Sequence, residues 1–468
     1  MKNFTTLLLL CFALISKAQI QIGQDITSLG FGGFCGESVA ISSDGNIIAV
    51  TGSGSSPSRA YVYQNENGNW QQLGDDIIGD MGSTFFRVDL SSDGSIVAVG
   101  SYIGLDHQVN IYELIDDTWT QIGQTIEYGL EVKLSSNGQI IAIADSAFDG
   151  LTGQVRIYEN IDNNWTLIGQ ALDGENSGDA FGSSLSLSGD GTIVAISAPR
   201  FNDDAGQAKI FQNIDNSWSL VGVFTSADAT EERFGTAISL SNDGSILVAT
   251  NNKNDDNSAA VFRQAKIFQN TNGTWNQLGN TVNENLDQAF GTNFFFNTID
   301  ITADGQAFII GSASANDETF GQGDIYQFDG NNWNHVGNSM VGDQSNVDQL
   351  GISVAISGDG NTCILGAPYG TNGCYARVFD ISDVLLSTND AFAAAISIYP
   401  NPVNDFLSIN TPNPEQIQRV EIYDYAGSKI NEFEYSPQIP VQHLSDGLYV
   451  LKITSNNERY RPLKFLKL

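Results

Sequence analysis

The chain has 468 residues, of which 54 are acidic and 20 are basic, so its formal net charge is −34. Because nucleic-acid binding depends on clustered lysine and arginine, this charge excludes a nucleic acid as a partner. The 48 glycines and the many β-branched runs between turns predict an all-β protein, longer than one hydrophobic core usually fills.

The chain begins with a pattern typical of a secretory signal peptide. Lys2 precedes the apolar run LLLLCFALI, and Ser16-Lys17-Ala18 ends in a small residue. Nine apolar residues are too few to cross a bilayer, which requires about 20. We therefore expect cleavage after Ala18 and removal of residues 1–18. No later stretch of the sequence predicts a transmembrane segment.

Residues 19–384 repeat one motif, of which LSGDGTIVAISAP (187–199) is an example. An Asp-Gly or Asn-Gly pair supplies the positive φ of a tight hairpin turn between two strands. Seven such pairs recur at intervals of 44 to 61 residues, a period typical of a solenoid or a propeller. Their glycines are Gly45, Gly94, Gly138, Gly191, Gly244, Gly305 and Gly360.

Each repeat contains four predicted strands, and a tryptophan begins the fourth. The tryptophans are Trp70, Trp119, Trp165, Trp218, Trp275 and Trp333. We interpret them as packing between neighbouring sheets, because their large apolar rings recur at one position of the repeat. The last repeat lacks this strand, but QIGQDI (21–26) matches QIGQTI (121–126). We predict that the mature N-terminus pairs with the last repeat and closes a seven-bladed β-propeller, which leaves only short edges.

The stretch GDAFGSSLSLSGDGTIVAISAPRFNDDAGQAKIF (178–211) resembles an FG-GAP-type propeller repeat. The Phe-Gly pair occurs as Phe181-Gly182 and Phe234-Gly235, weakens elsewhere and is displaced at Phe290-Gly291. The resemblance implies a propeller over about residues 19–384. Many such repeats bind calcium through an Asp-x-Asp-x-Asp-Gly-like loop. The turn here retains one carboxylate, whereas calcium takes six to eight oxygen ligands, so that site is not carried over.

Three cysteines follow the signal peptide: Cys35, Cys363 and Cys374. Export permits disulfides. Cys363 and Cys374 lie symmetrically about a predicted hairpin loop, so we expect either a disulfide between them or free buried thiols. No Cys-x-x-Cys spacing indicates metal or redox chemistry.

The loops between the strands are long, unequal and acidic, and binding residues are expected there. DGENSGD offers the carboxylates of Asp173, Glu175 and Asp179 as a weak candidate for a metal site, with calcium as the ion. The alternative is a solvated acidic loop, and no other cofactor is expected. Further loop carboxylates are Asp203, Asp204, Asp228, Glu231, Glu232, Asp255, Asp256, Asp317, Glu318, Asp343 and Asp348.

The repeat region lacks a recognisable catalytic motif. Its histidines, His107 and His335, lie in strand-like segments, and no order of Ser, His and Asp indicates a nucleophile with its base. We predict that both are surface or packing histidines. Paired carboxylates can serve a glycosidase, so an enzyme remains an alternative.

After a linker at residues 385–395, short alternating strands predict a small β-sandwich over residues 396–468. The segments YPNP, IYDYAG and DGLYVLKI, with lysines near the end, resemble the type A C-terminal sorting domain of the type IX secretion system. The resemblance implies that the type IX machinery carries the protein across the outer membrane, after which it is released or anchored. A carbohydrate-binding sandwich is the alternative.

These patterns predict a secreted or cell-surface, non-enzymatic propeller that binds an extracellular glycan or protein as an adhesin-like module. One alternative is a secreted polysaccharide-degrading lyase or glycoside hydrolase on the same scaffold, and another is a purely structural component. Residues 19–384 contain 45 acidic and 11 basic side chains. This scarcity of cations counts against a lyase, which must neutralise a uronate.

Overall fold

The structure is a computed structural model that describes residues 19–385 and 397–467 with gaps. The gaps are residues 28–33, 54–56, 81, 105, 226–232, 255–260, 286–298, 314–320, 344–347, 369–372, 400–401, 411–416, 425–428, 435, 446, 456–457 and 460–462. The chain divides into two compact units, Met1–Leu385 and Leu386–Leu468. The predicted signal peptide, most of the linker, Phe290-Gly291 and the carboxylates of Asp228, Glu231, Glu232, Asp255, Asp256, Asp317 and Glu318 lie outside the described residues.

The described part of the first unit consists of seven antiparallel sheets. The N-terminal strands β1 (Ile20–Gln21) and β2 (Ile26–Thr27) belong to sheet 7. Sheet 1 contains β3 (Phe34–Ile41), β4 (Ile47–Ser53), β5 (Arg59–Glu66), β6 (Asn69–Gln72) and β7 (Ile77–Ile78). Sheet 2 contains β8 (Ser83–Leu90), β9 (Ile96–Ile103), β10 (Asp106–Ile115) and β11 (Thr118–Gln121). Sheet 3 contains β12 (Glu131–Leu134), β13 (Ile140–Asp145), β14 (Gln154–Asn160), β15 (Trp165–Leu167) and β16 (Leu172–Asp173).

Sheets 4 to 7 follow the same plan. Sheet 4 contains β17 (Leu185–Leu187), β18 (Ile193–Ala198), β19 (Gln207–Ile214) and β20 (Ser217–Thr225). Sheet 5 contains β21 (Ile238–Leu240), β22 (Ile246–Asn254), β23 (Val261–Thr271), β24 (Thr274–Gln277) and β25 (Val282–Asn285). Sheet 6 contains β26 (Ile299–Ile301), β27 (Ala307–Ser312), β28 (Gln322–Phe328) and β29 (Trp333–Val341). Sheet 7 contains β30 (Ser353–Ile356), β31 (Thr362–Ala367) and β32 (Tyr375–Asp380). The helical turns α1 (Phe148–Leu151) and α2 (Phe201–Asp204) lie between the second and third strands of sheets 3 and 4.

The recurring Asp-Gly sequence forms the hairpin between the first and second strands of each sheet. In sheet 4 the Ser188 hydroxyl donates to Asp190 Oδ1 (2.7 Å) and accepts from the Ile193 N–H (2.9 Å). The Thr192 N–H donates to the same carboxylate oxygen (2.9 Å). Gly191 has φ +74°, a left-handed conformation that glycine adopts without steric strain. The turn therefore requires a hydroxyl residue, an Asp or Asn, and a Gly in this order.

Backbone hydrogen bonds connect these hairpins from sheet to sheet. In sheets 1 to 6, the residue two positions before the turn glycine donates its N–H to the equivalent carbonyl oxygen of the next sheet, at 2.7–3.0 Å. The series runs through Ser43, Ser92, Ser136, Gly189, Asn242, Ala303 and Gly358. The neighbouring Asp359 N–H then donates to the Ser43 carbonyl oxygen (3.0 Å), so the series returns to sheet 1.

The hydrophobic core of the first unit lies between neighbouring sheets. Ile96 and Ile111 of sheet 2 share one buried cluster with Val132 and Ile141 of sheet 3. Sheets 7 and 1 also share a cluster, formed by residues that include Ile364, Val378, Val39 and Ile48. The apolar second strand of each repeat is buried because a neighbouring sheet covers each of its faces.

In sheets 1, 2, 3, 4 and 6, a tryptophan at the start of the fourth strand connects the sheet to the preceding one. The Trp165 indole donates to the Ile122 carbonyl oxygen (3.0 Å), and the Gln124 side chain bonds the Trp165 carbonyl oxygen (2.8 Å) and N–H (3.0 Å). Gly123 has φ +69°, and a Cβ atom there would lie 2.6 Å from the indole. Equivalent indole bonds are made by Trp70, Trp119, Trp218 and Trp333. The predicted packing role is confirmed at these positions, and Trp275 packs edge-on against Phe224.

The N-terminal segment supplies the missing strand of sheet 7, which confirms the predicted pairing. Ile20 pairs with Asp380, and Ile26 pairs with Ala376. The Trp70 indole of sheet 1 donates to the Ile22 carbonyl oxygen (3.0 Å), so this segment takes the place that a fourth strand has elsewhere.

The predicted disulfide between Cys363 and Cys374 is wrong. Cys374 is bonded to Cys35, with Cα atoms 5.2 Å apart. Cys363 is a free buried thiol, and its Sγ lies 3.6 Å from Met340 Sδ. The strand register explains the difference, because Cys363 pairs with Phe379 while Cys374 precedes β32. The disulfide therefore joins sheet 1 to the segment that enters the last strand of sheet 7.

The described part of the second unit contains two antiparallel sheets. One contains β33 (Ser397–Tyr399), β34 (Phe406–Asn410) and β37 (Gln438–Pro440). The other contains β35 (Ile417–Asp424), β36 (Lys429–Glu434), β38 (Gly447–Ser455), β39 (Glu458–Arg459) and β40 (Leu463–Lys467). Both sheets contribute to one core that includes Leu407, Ile439, Val420 and Leu451. In the described parts of both units, no helix is long and apolar enough to span a membrane.

Candidate functional site

The two ends of the sheets in the first unit carry different connections. The short Asp-Gly turns lie at one end. The loops between second and third strands, together with those that lead into the next sheet, lie at the opposite end, which we call the long-loop end. The acidic loop residues that the structure describes belong to this end; they are Asp173, Glu175, Asp179, Asp203, Asp204, Asp343 and Asp348.

Backbone hydrogen bonds fix two of these loops against the next sheet. The Ala180 N–H donates to the Leu151 carbonyl oxygen, and the Arg233 N–H donates to the Asp204 carbonyl oxygen, both at 2.7 Å. Buried Phe181 and Phe234 follow these residues, and their glycines have φ near +90° and +84°. The Phe-Gly pairs therefore fix the path of these two loops.

The three carboxylates of the DGENSGD loop are not brought together. Asp173 accepts from Gln154 Nε2 (2.6 Å), Glu175 pairs with Lys209 (2.6 Å), and buried Asp179 accepts from an asparagine of its own loop (3.0 Å). Among the described residues, no group of three or more His, Cys, Asp or Glu side chains is arranged to hold a metal ion. The geometry of this loop therefore does not support the candidate metal site.

Each histidine of the first unit lies beside an aspartate. His335 Nε2 lies 2.9 Å from Asp324 Oδ1, and that oxygen also accepts from the Ser339 hydroxyl (2.5 Å). Burial raises the pKa of Asp324, but hydrogen bonds from His335, Ser339 and Gln322 together outweigh burial and lower it overall. Serine and histidine bond the same carboxylate rather than each other, whereas a base must bond the nucleophile that it activates. His107 Nδ1 lies 3.5 Å from Asp145 Oδ2.

A recurring glutamine at the start of the third strand organises the long-loop end of several sheets. The glutamines are Gln108, Gln154, Gln207, Gln264 and Gln322, and two residues later stand Asn110, Arg156, Lys209, Lys266 and Asp324. Residues two apart on a strand lie on the same face, so the glutamine amide can orient the polar group beside it. Sequence reasoning missed this pattern, although GQVRIY, GQAKIF and GQGDIY display it.

In sheet 3 this glutamine orients an arginine and an aspartate. Gln154 is only 7% exposed; its Oε1 accepts from Arg156 Nε (2.7 Å) and its Nε2 donates to Asp173 Oδ1 (2.6 Å). The Arg156 guanidinium lies over the Tyr128 ring, with Cζ 4.0 Å from the ring centroid. Asp145, Gln154 and Asp173 are paired across three neighbouring strands. We call Tyr128, Asp145, Gln154, Arg156 and Asp173 the Arg156 cluster.

Several cations of the first unit are paired with carboxylates, whereas Arg156 is not. Arg87 pairs with Glu131 (2.5 Å) and Arg377 with Asp25 (2.8 Å). Lys209, which occupies the position of Arg156 in sheet 4, pairs with Glu175 (2.6 Å). Within the described residues Arg156 makes no ion pair, and its only hydrogen bond uses Nε. Its two terminal nitrogens are therefore held in place and have no partner in the part of the chain that the structure describes.

The surroundings of Arg156 add an aromatic face and a hydroxyl group. Burial raises the pKa of Tyr128 well above its ordinary value. The positive charge of the nearby Arg156 lowers this pKa, but by a smaller amount. The Tyr128 hydroxyl stays protonated and donates to the Gln154 backbone carbonyl oxygen (2.7 Å). Phe148 of α1 is 37% exposed, with its ring centroid 6.5 Å from that of Tyr128.

A second polar feature, also missed in the sequence, is a cavity of about 190 Å³ lined by first strands of the sheets. Lys133 Nζ lies 3.2 Å from Asp89 Oδ1, and Asp300 accepts from the Ser239 hydroxyl (3.1 Å) and the Ile356 N–H (2.9 Å). Burial lowers the pKa of Lys133, but Asp89 and Asp300 raise it by more. Lys133 is therefore paired with Asp89, in contrast to Arg156, and Asp300 is bonded by a hydroxyl group and a backbone N–H.

Comparison with known families identifies the second unit. Residues 397–465 match the family described as the secretion system C-terminal sorting domain. This match confirms the resemblance seen in the sequence. The tail points to secretion through the type IX system and to a cell-surface or extracellular location.

Comparison with solved structures gives weaker similarities. A protein from Lactobacillus plantarum is 14% identical, with a TM-score of 0.47 over 65% of this chain and 84% of that one. The periplasmic gluconolactonase of Pseudomonas aeruginosa is 18% identical, with a TM-score of 0.45 over 65% and 86%. A putative 6-phosphogluconolactonase from Bacteroides uniformis is 16% identical, with a TM-score of 0.46 over 66% and 86%. TM-scores below 0.5 do not establish a shared fold, so no activity is transferred. A search of curated proteins finds no significant match.

Proposed function

We propose that this protein is an exported, non-enzymatic, adhesin-like module that binds an extracellular glycan or protein. Its sorting tail at residues 397–465 supports the type IX part of the route. A signal peptide cleaved after Ala18 would supply the preceding step across the inner membrane.

The proposed architecture of the first unit is a closed, seven-bladed β-propeller of FG-GAP-type repeats. The hydrogen-bond series from Ser43 back to Ser43, the cluster shared by sheets 7 and 1, and the Cys35–Cys374 disulfide support closure. A closed ring leaves each sheet with two neighbours and only short free edges. Such a frame can hold loops at its long-loop end in fixed positions.

The observation that carries the binding function is the fixed guanidinium of Arg156. Buried Gln154 orients it, the Tyr128 ring supports it, and no carboxylate among the described residues forms an ion pair with it. A polar group positioned in this way, beside an exposed aromatic side chain, is suited to orienting a ligand. By contrast, Ser339 and His335 bond Asp324 rather than each other, an arrangement that favours structure over nucleophilic chemistry.

The test uses residues 19–468 in pull-downs with insoluble glucans, mannans, xylans and chitin, with and without calcium. New reducing ends are measured in the same tubes. Retention with no new ends supports a glycan-binding module. New reducing ends would establish a polysaccharide-degrading enzyme instead. Failure to bind any polymer would contradict the proposed glycan ligand, and a protein would then be the remaining candidate ligand.

A further inference from the structure

We infer that the Arg156 cluster, together with Phe148, is the contact site for a neutral glycan. This inference rests on the proposed binding function and assigns that function to one place on the molecule. The site lies at the long-loop end of sheet 3, where α1 and the ends of β13, β14 and β16 meet.

The cluster presents donors and acceptors side by side. The terminal nitrogens of Arg156 can only donate, while the carboxylates of Asp145 and Asp173 accept. Asp173 uses Oδ1 for Gln154, and its side chain is exposed. Sugar hydroxyl groups both donate and accept, so a pair of adjacent hydroxyls can bond a guanidinium and a carboxylate at once.

Orientation of these groups is already fixed by the protein. Gln154 bonds Arg156 with one end of its amide and Asp173 with the other. The Tyr128 ring supports the guanidinium plane at 4.0 Å. A ligand therefore does not have to order these side chains, which reduces the entropy lost on binding.

The local charge selects a neutral ligand over an anionic one. Asp145 and Asp173 both pair with Gln154, two residues from Arg156, so this end of sheet 3 carries two carboxylates beside one arginine. The charges of half-buried Asp145 and exposed Asp173 both raise the pKa of Tyr128, the residue whose ring lies against the guanidinium. A polymer with a carboxylate on every sugar would meet this excess of negative charge and be repelled.

An apolar surface completes the site. Phe148 is 37% exposed, and two backbone hydrogen bonds fix α1: the Gly153 N–H donates to the Phe148 carbonyl oxygen (3.0 Å), and the Ala180 N–H donates to the Leu151 carbonyl oxygen (2.7 Å). The face of an aromatic ring carries partial negative charge, so it attracts the C–H groups on the face of a sugar ring. Phe148 and Arg156 together can contact both the apolar face and the polar edge of one sugar.

The test is affinity gel electrophoresis of residues 19–468 in gels that contain galactomannan, xyloglucan or mixed-linkage β-glucan. Alginate and polygalacturonate serve as anionic polymers. The variants are Arg156→Ala, Arg156→Lys and Phe148→Ser. The matched control is Lys209→Ala, which removes the cation at the equivalent position of sheet 4, where Glu175 already neutralises it. Tryptophan fluorescence during thermal unfolding verifies that each variant is folded.

At least one neutral polymer should retard the wild-type chain. Arg156→Ala and Phe148→Ser should raise the dissociation constant at least tenfold, Arg156→Lys should raise it by less, and Lys209→Ala should change it less than twofold. If the wild type and the folded Arg156 variants are retarded equally, the proposed site is wrong, but the proposed glycan-binding function still holds. Retardation by the anionic polymers alone overturns the neutral ligand. No retardation by any polymer overturns both the site and the glycan-binding function.

Discussion

Replacing Gly23 by Ala tests whether the N-terminal segment is packed against sheet 1. Gly23 has φ +69°, and a Cβ atom there would lie 2.7 Å from the Gly68 carbonyl oxygen and 3.3 Å from the Trp70 ring. The left-handed conformation costs a non-glycine residue about 1–2 kcal/mol. Alanine also reduces the conformational entropy of the unfolded chain, which stabilises the folded state by about 0.4–1 kcal/mol. Overpacking adds about 1–3 kcal/mol. We expect Gly23→Ala to lower the free energy of unfolding of the first unit by about 2–4 kcal/mol.

Two other glycines provide matched controls for this prediction. Gly123 occupies the same position inside the repeat region, where a Cβ atom would lie 2.6 Å from Trp165, so Gly123→Ala should cost about as much. Gly68 has φ +85° with nothing within 4 Å of a built Cβ. Gly68→Ala should therefore show the conformational effect alone, about 1 kcal/mol.

The assay is urea unfolding of residues 19–468, followed by tryptophan fluorescence. All six tryptophans lie in the first unit, so the signal reports its unfolding without interference from the tail. If Gly23→Ala is no less stable than Gly68→Ala, the N-terminal segment does not pack on Trp70, and the closure of the proposed ring by this segment is refuted.

Peptide mapping without reduction should find Cys35 linked to Cys374, with Cys363 alkylated only after unfolding; a peptide linking Cys363 to Cys374 would contradict the strand register. Deleting residues 397–468 should retain the protein in the periplasm, and cell fractionation that finds the truncated chain outside would rule out the sorting role. Burial alone would raise the pKa of Asp190, but hydrogen bonds from Ser188 and Thr192 lower it overall, as equivalent bonds do in three other turns. Their stabilisation is complete above the unfolded pKa, near pH 4, and is lost as the pH falls through the lower folded pKa. Changing Asp44, Asp93, Asp190 and Asp243 to Asn, the residue found at Asn137, should flatten the loss of stability during acid unfolding, and an unchanged acid profile would count against these bonds.

The repeat could be predicted from the sequence because each of its recurring features arises from residues that are close together in the chain or recur at one position of the repeat. The Asp190-Gly191 turn requires a positive φ, and the tryptophan pattern follows from an indole that bonds the backbone of the preceding sheet. The N-terminal strand was also predictable, because QIGQDI carries the same Gly that makes room for a tryptophan in the other repeats.

Contacts between residues far apart in the chain could not be predicted from the sequence. Cys35 and Cys374 are separated by 339 residues, and only the contact between sheets 1 and 7 brings them together. The recurring glutamine was visible as a pattern, but its function depends on which neighbour lies within reach. Lys209 has Glu175 beside it, whereas Arg156 has no such partner among the described residues, and the sequences of the two strands do not reveal that difference.

The most direct test of a ligand-binding long-loop end is hydrogen exchange measured by mass spectrometry, with and without the polysaccharide that retains the protein. Bound polymer should slow exchange in peptides that cover residues 127–131, 145–156 and 172–183, which surround the Arg156 cluster. Protection confined to the Asp-Gly turns or to residues 397–467 would contradict the account, because the ligand would then bind at the opposite end of the sheets or on the sorting domain.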